Sequence, residues 1–502
     1  MAKGRRILSD PAARLCMVTF TTAAAGEMQH RMAAAFAGDQ QEVPKARLTT
    51  GTFHSLALKH YQRHVKGFPR LLPPPARSAM LHTMLAKYTQ DERAAFTLAL
   101  EQYQGALDPS RLSVLPEHRE FIEDYLRKMR SAQATDLASV MRDCTMKMAA
   151  SEIPLLPVTH LIGDEMQDAD EVQLEFILNH SRQGVVTTVV ADDDQTIYEW
   201  RCALGYAGLQ HFAAEAGAKT ITLGENFRSR QEVVSHAREL IANNDPDRVE
   251  KNQLAVRGTG GILGVIKSSD AKGECEAVAK AIGDYKYDDE EIAVLARSNR
   301  ALDRMEEALS AEGIAYKRDG PTLWDAPEIG LMLSLMRALI SARTGDLLPV
   351  LMLLQVDAKV RKDLESHLGP NCGALLDGAV PDLLSATALD RKALQKFADG
   401  TCAWRKLLRS GDYNLAIPDI GFAVGELLRE NVEAGGSTSR TRRANILLES
   451  AVNVLTRLQG SLSKRLTTLA MMQSRDASAF AVRLMTMHGS KGLEFDTVYL
   501  IN

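Results

Sequence analysis

Aromatic side chains are scarce in this chain, 5% of 502 residues with only three tryptophans, so a Trp set beside a cation stands out. Long apolar runs are missing too. Nothing approaches the roughly 20 charge-free residues of a membrane-spanning helix, so no membrane association is expected. The basic opening MAKGRRILSDPAARLCMVTF is interrupted by Asp10 and Pro11 before a signal-peptide core can form. The six cysteines, Cys16, Cys144, Cys202, Cys275, Cys372 and Cys402, are scattered without paired metal-ligand spacing. That argues against a zinc ribbon or a small disulfide scaffold, and points to a reducing, cytoplasmic setting of the bacterial type. Excess positive charge is absent as well, because 60 Lys plus Arg face 64 Asp plus Glu for a formal charge of -4. No whole-molecule field draws the chain to a polyanion, so nucleic acid would have to be gripped in a local cleft. There is no short repeat, heptad run or low-complexity tail.

What is present is length and alternation. A chain this long is expected to fold as several domains, each with its own core. A strand-like run at 14–20 leads into an Ala- and Met-rich helical pattern at 23–37, and LTTGTFHSLALKHYQRH repeats that order from Leu48. From 73 to 148 apolar residues recur at threes and fours, which predicts helices. Strand-like runs return at 158–163, 185–191 and 220–223, each ending at polar or small residues where open α/β sheets place their binding crevice. A second α/β pattern opens with GILGVIKSS near Gly261 and continues through a helix at 273–283 and the strand EIAVLAR at 291–297. A mainly helical region from about 328 to 473 then interrupts it, with loops predicted at Pro370, Pro381, Pro418 and the Gly- and Ser-rich stretch 435–439. The closing VRLMTMHGSKGLEFDTVYLIN reads as strand, polar turn, strand.

Six separated segments carry chemistry: VTFTTAAAGEMQHRM from Val18, GTFHS from Gly51, HLIGDEMQDADEVQ from His160, VVADDDQTIYEWRCA from Val189, LGENFRSRQEVV from Leu223 and LMTMHGSKGLEFDTVYL from Leu484. In the third, an apolar run delivers Asp164 and Glu165 to a strand end, where an Asp can hold Mg²⁺ through water and a Glu can orient or deprotonate an attacking water. In the fourth, Trp200 beside Arg201 is a stacking plate with a phosphate clamp. In the fifth, Arg228 offers a planar fork to a phosphate.

Taken in order, these segments resemble the superfamily-one DNA helicases of the UvrD/Rep type, and they span the chain from Val18 to Val498. The resemblance implies an α/β fold of two RecA-like P-loop NTPase-type domains with large helical insertions. The first would comprise 1–56 and 150–224, with a helical insertion at 57–149. The second would comprise 225–330 and 479–502, with a helical accessory insertion at 331–478. Also implied are ATP and Mg²⁺ as cofactors, 3′-to-5′ translocation in DNA repair or replication, and single-stranded DNA and duplex/single-strand junctions as partners. By the same resemblance Asp164 is the metal carboxylate and Glu165 the catalytic one, while Gln195 and Arg228 contact the γ-phosphate. Phe227 would stack on adenine, with Gly492 and Glu494 near the triphosphate and ribose. Phe20, Thr21 and neighbouring Thr19, together with His54, Tyr198, Trp200, Arg201, Thr486, His488 and Lys491, would face DNA. Gln167, Asp168 and Gln173 would couple the first domain to its neighbour. The chain departs from the family pattern at Thr22 and Ala23, where Asn and Lys are usual, and at Ala191 and Cys202, where Gly is usual.

Two family elements are not in these 502 residues. No G-x-x-x-x-G-K-[ST] run occurs, GSKG at 489–492 having the Lys without the spacing, and no arginine motif follows Val498. The motor is therefore expected to be incomplete. Three readings stay open: a helicase or translocase of this type, a non-hydrolysing single-stranded-DNA-binding or regulatory relative, and one part of a split helicase completed by another polypeptide. A metal nuclease would need more acids than the Asp164 and Glu165 pair.

Overall fold

Strand β1 (Leu15–Thr19) is buried at every position. Its alternate side chains enter two cores, Leu15 and Met17 on one side and Cys16 and Val18 on the other. A strand covered on both faces belongs to a parallel sheet packed between helices. The computed structural model describes residues 2–37, 46–197, 202–244, 246, 248–284, 290–433, 438–474 and 482–502. It divides into two compact units, Met1–Leu263 and Gly264–Asn502.

In the first unit α1 (Ala2–Leu8) and α2 (Thr22–Ala37) cover one sheet face, setting Met28, Met32 and Phe36 against Leu15, Met17 and Ile162. Next, β2 (Leu48–Thr52) runs directly into α3 (Phe53–His64), whose start is fixed by a capping box between Thr52 and Ser55. A helical body follows, made of α4 (Pro74–Met84), α5 (Gln90–Gly105), α6 (Pro116–Ser131) and α7 (Leu137–Ala149), with a two-residue ladder of β3 (Arg70–Leu71) and β4 (Ala134–Thr135). Helices α4 to α6 have their own core around Phe96, Leu100, Phe121 and Tyr125, whereas α7 buries Val140, Met141, Cys144 and Met148 in the core of the sheet. The chain then returns to the sheet with β5 (His160–Gly163), α8 (Glu171–Arg182), β6 (Val186–Val189) and α9 (Gly205–Glu215). The sheet order is β2-β1-β5-β6, parallel throughout. A short parallel ladder of β7 (Glu225–Asn226) and β8 (Leu254–Ala255) flanks α10 (Gln231–Ile241).

The second unit builds its sheet from β9 (Ile292–Ala296), β10 (Tyr316–Arg318), β11 (Val482–Thr486) and β12 (Thr497–Ile501), in the parallel order β10-β11-β9-β12. Helices α11 (Ala271–Asp284) and α12 (Asn299–Ala311) bury Val278, Ile282, Leu302 and Met305 against it. Between β10 and β11 lies the second helical body: α13 (Pro327–Ser341), α14 (Thr344–Leu351), α15 (Ala358–Leu368), α16 (Gly373–Leu376), α17 (Ala388–Ser410), α18 (Tyr413–Glu433), α19 (Thr438–Arg457) and α20 (Leu462–Ser474). Its core is continuous from Leu323 to Leu469 in sequence and almost wholly aliphatic. The fold is thus α/β, with parallel sheets flanked by helices and interrupted by helical insertions, as expected for RecA-like domains. Among the described residues no helix is long and apolar enough to cross a membrane.

Three local expectations are corrected. Residues 220–223 and 261–267 form no strand. They leave Ile221, Leu223, Ile262 and Val265 at 72, 80, 89 and 88% exposure, because alternation makes a strand only where a neighbour completes the ladder. Pro418 lies inside α18 and not in a loop. An internal proline costs about 3 kcal/mol, but the flanking Ala416, Ile417, Ile420 and Val424 are fully buried. Burial of each large aliphatic among them contributes roughly 1.5–3 kcal/mol, which outweighs that cost.

Candidate functional site

All four strands of the first sheet end in residues singled out by motif, and because the strands are parallel these ends lie along one carboxyl edge. That edge is where open α/β sheets bind ligands. Phe20 and Thr21 follow β1, His54 opens α3 just beyond β2, Asp164 and Glu165 follow β5, and the Asp192–Gln195 turn lies just past β6.

At the end of β5 the main chain turns sharply. The Asp164 amide donates to Val18 O at 3.0 Å and the Met166 amide to Val190 O at 3.0 Å, pinning the turn between both neighbouring strands. A Cβ at Gly163 would stand 2.8 Å from Met166 Sδ, so a larger residue there would push the Met166 side chain aside. Glu165 takes a left-handed backbone conformation, φ 57°. A non-glycine residue there stores strain of about 1–3 kcal/mol, a feature that clusters at functional sites. Burial, then the adjacent Glu165 charge, raises the Asp164 carboxyl above its ordinary range. A divalent cation would relieve that repulsion, so the pair is chemically suited to Mg²⁺.

Gln167 is fully buried and joins two motifs. Its Nε2 donates to Glu165 Oε2 at 2.6 Å, and its Oε1 accepts the Asp192 amide at 3.1 Å. In turn Asp192 Oδ2 accepts Gln195 Nε2 at 2.7 Å, leaving Gln195 exposed at the edge. Gln173 has a local task instead, completing the capping box that starts α8 at Asp170.

The DNA-facing candidates are placed unevenly. Phe20 is half-buried, its ring centroid 5.1 Å from that of Phe53, so part of its surface is already used in packing. Thr21 is exposed and its hydroxyl oxygen accepts the Ala24 amide, starting α2. Thr19, by contrast, is buried at 1% exposure, which withdraws its hydroxyl from any phosphate in this conformation. His54 is half-buried, and burial holds its imidazole below the usual range despite the opposing Asp136 charge. Tyr198, Trp200 and Arg201 lie outside the described residues. Beyond β7, Phe227 is 67% exposed and Arg228 is exposed on a turn held by Asn226 Oδ1, which accepts the Arg228 and Ser229 amides at 3.0 and 2.9 Å.

In the second unit Thr486, His488, Lys491, Gly492 and Glu494 share the loop that leaves β11 and reaches β12 on the far side of β9. Thr486 organises it: its Oγ1 accepts the Gly489 amide at 3.1 Å and its carbonyl the Ser490 amide at 3.0 Å. Gly492 has φ 81°, where a side chain would be strained.

Sequence reasoning passed over Arg248 and gave Lys251 no role. Lys251 Nζ lies 2.5, 2.5 and 2.8 Å from carboxylate oxygens of Asp192, Asp193 and Asp194. Arg248 grips Asp194 through two 2.8 Å bonds. Burial works against the Lys251 charge, but the three carboxylates outweigh it and raise its pKa. No local signal marked this contact, because the two cations follow the three acids by more than 50 residues.

Comparison with known proteins agrees with this layout. The UvrD/REP helicase N-terminal domain matches residues 9–113 and 115–209, and the UvrD-like helicase C-terminal domain matches 221–352 and 441–502. DNA helicase II of Haemophilus influenzae is 26% identical over 535 residues, covering 96% of this chain and 71% of that protein. DNA helicase II of Escherichia coli is likewise 26% identical with the same coverage, and ATP-dependent DNA helicase Rep of Buchnera aphidicola is 22% identical over 97% of this chain and 81% of its own length. The chain belongs to the UvrD/Rep-like family of superfamily-one ATP-dependent DNA helicases.

Proposed function

We propose that this chain serves ATP-driven, 3′-to-5′ translocation on single-stranded DNA and opening of duplex/single-strand junctions, with Asp164 holding Mg²⁺ and Glu165 orienting the attacking water. The observation that carries the reading is the strained Asp164–Glu165 turn on the carboxyl edge of the first sheet, tied through Gln167 to the turn bearing Gln195. Gln195 and Arg228 serve as γ-phosphate contacts and Phe227 as the adenine platform. Gly492 and Glu494 approach the nucleotide, and Phe20, Thr21, His54, Tyr198, Trp200, Arg201, Thr486, His488 and Lys491 meet DNA. By the family resemblance we assign residues 1–56 with 150–224, and 225–330 with 479–502, to the two motor domains, of which 225–263 fall in the first compact unit. The direction of travel rests on the family relationship alone.

A second reading, single-stranded-DNA binding without hydrolysis, is favoured by one fact. The 502 residues contain no G-x-x-x-x-G-K-[ST] run, so the amides and Lys that hold the β- and γ-phosphates in related ATPases have no counterpart among them. DNA-stimulated ATPase and oligonucleotide anisotropy on the purified chain, beside Glu165→Gln, separate the readings. We expect single-stranded DNA binding with turnover below about 1 per second, the slow end of enzymes generally. Faster turnover abolished in the variant assigns hydrolysis to this chain itself. Absence of binding even at low salt overturns both readings.

A further inference from the structure

Three carboxylates in succession, with oxygens within 4.8 Å of one another, look like a cation socket. In this molecule the socket is filled by the chain itself. An ammonium has three donors, and Lys251 directs them at three separate acids while only 10% of its side chain stays exposed. Arg248 adds a two-pronged, charge-assisted grip on Asp194, and the Val249 amide donates to Asp193 Oδ2 at 2.6 Å. Residues 248–251 therefore contact every carboxylate of the acidic turn, two cations and one amide against three acids.

Each end of this contact leads to a candidate phosphate-sensing side chain. On the acidic side, Asp192 holds Gln195 directly and reaches Glu165 through Gln167. On the basic side the chain runs three residues from Lys251 into β8, which zips onto the segment carrying Arg228. The Leu254 amide donates to Gly224 O at 2.8 Å, the Val256 amide to Asn226 O at 2.9 Å, and Arg257 Nη1 to Arg228 O at 2.8 Å.

We propose that Lys251 is a positioning residue that, with Arg248, locks the Asp192–Asp194 turn to the β7–β8 ladder, so that Gln195 and Arg228 are held as one body. The lock itself stands on the contacts above. Its consequence, joint reading of the γ-phosphate, rests on the function proposed for Gln195 and Arg228. Three acids that could hold a metal are reserved for this internal cation.

Hydrogen–deuterium exchange on the full chain without nucleotide tests the lock. Lys251→Met is expected to speed exchange about tenfold in peptides covering both 192–197 and 223–231, as local opening would. Exchange in β9 and α13 should be unchanged, and Lys251→Arg should restore part of the protection. Asp194→Asn, a milder change that keeps Lys251, should loosen the same two regions. The double variant Lys251→Met with Asp194→Asn should fall short of the sum of the two single effects, because the Lys251–Asp194 contact is lost in both, while the Arg248 grip is lost only with Asp194 and the Asp192 and Asp193 contacts only with Lys251. Protection at 223–231 that is unaltered in both single variants, or additive effects in the double, overturns the proposal. Should Lys251→Met fail to fold, Asp194→Asn decides. A fluorescent ATP analogue compared with its ADP counterpart then tests the consequence. Any preference of the parent for the triphosphate should fall toward unity in Lys251→Met with ADP-analogue affinity kept. A parent with no preference removes the phosphate-sensing reading, whereas the exchange data judge the lock by themselves.

Discussion

Gln167 illustrates what one residue contributes to this site. A buried amide costs free energy unless both its donor and its acceptor are used, and here they are used by Glu165 and the Asp192 amide. Gln167→Met keeps the approximate volume but takes away the acceptor of the part-buried Asp192 amide and the donor to Glu165. It should lower stability by about 1–3 kcal/mol, read as a lower urea midpoint at unchanged slope. An unchanged midpoint would mean that water replaces the side chain without loss. The same scale shows how far motif reading reached. Asp164 and Glu165 were legible because an apolar run delivers them to a strand end. The burial of Thr19 and the packing of Phe20 on Phe53 were not, since they depend on residues 33 and more positions away.

At the scale of elements, helix starts are set by short-range chemistry, and α8 carries an unusual one. Its cap, Asp170, accepts the Gln173 amide at 2.8 Å, yet burial pushes its carboxyl up to about 7. The folded state thus keeps a proton between roughly pH 4 and 7 that the unfolded chain has released. Stability from this group is full below the unfolded pKa and is lost as pH rises through 7, the reverse of a salt-bridged acid. Asp170→Asn retains a capping oxygen without the charge. It should stabilise the protein on the order of 2 kcal/mol at pH 8 and hardly at all at pH 4, measurable as a Tm difference that grows with pH. Equal differences at both pH values would show that the carboxyl is not protonated in the fold. In α18 the expected gain is of another kind. Pro418→Ala restores an amide for the Asn414 carbonyl, and after allowance for greater unfolded-state freedom should add about 1–2 kcal/mol. Chemical denaturation would reveal a loss instead if the proline ring were needed against the core.

For the molecule as a whole, a net charge of -4 means that DNA affinity must come from a few local contacts. If two or three phosphates are met, among them by Arg201 and Lys491, the affinity of single-stranded DNA should fall with salt at a log–log slope of about -1.5 to -2. Anisotropy titrations from 50 to 300 mM salt give the slope directly. A value several times steeper would require an extended basic surface that the composition does not supply.

The sequence by itself determined the elements whose causes are local. Alternation and periodicity placed every strand of the first sheet, three of the four in the second and the two helical bodies, β10 being too short to show a pattern, and motif order identified the family, because each of these signals lies within a dozen residues of its own cause. Tertiary structure decided what depends on distant partners. Residues 220–223 and 261–267 have strand-like patterns but no ladder neighbour, so they remain irregular. Pro418 is carried inside a helix because buried aliphatics on both sides outweigh its cost. Most clearly, three acids that in sequence read as a phosphate-site motif meet two cations more than 50 residues later. Coulomb attraction across that separation acts only after the chain has folded back, and so no local pattern could announce it.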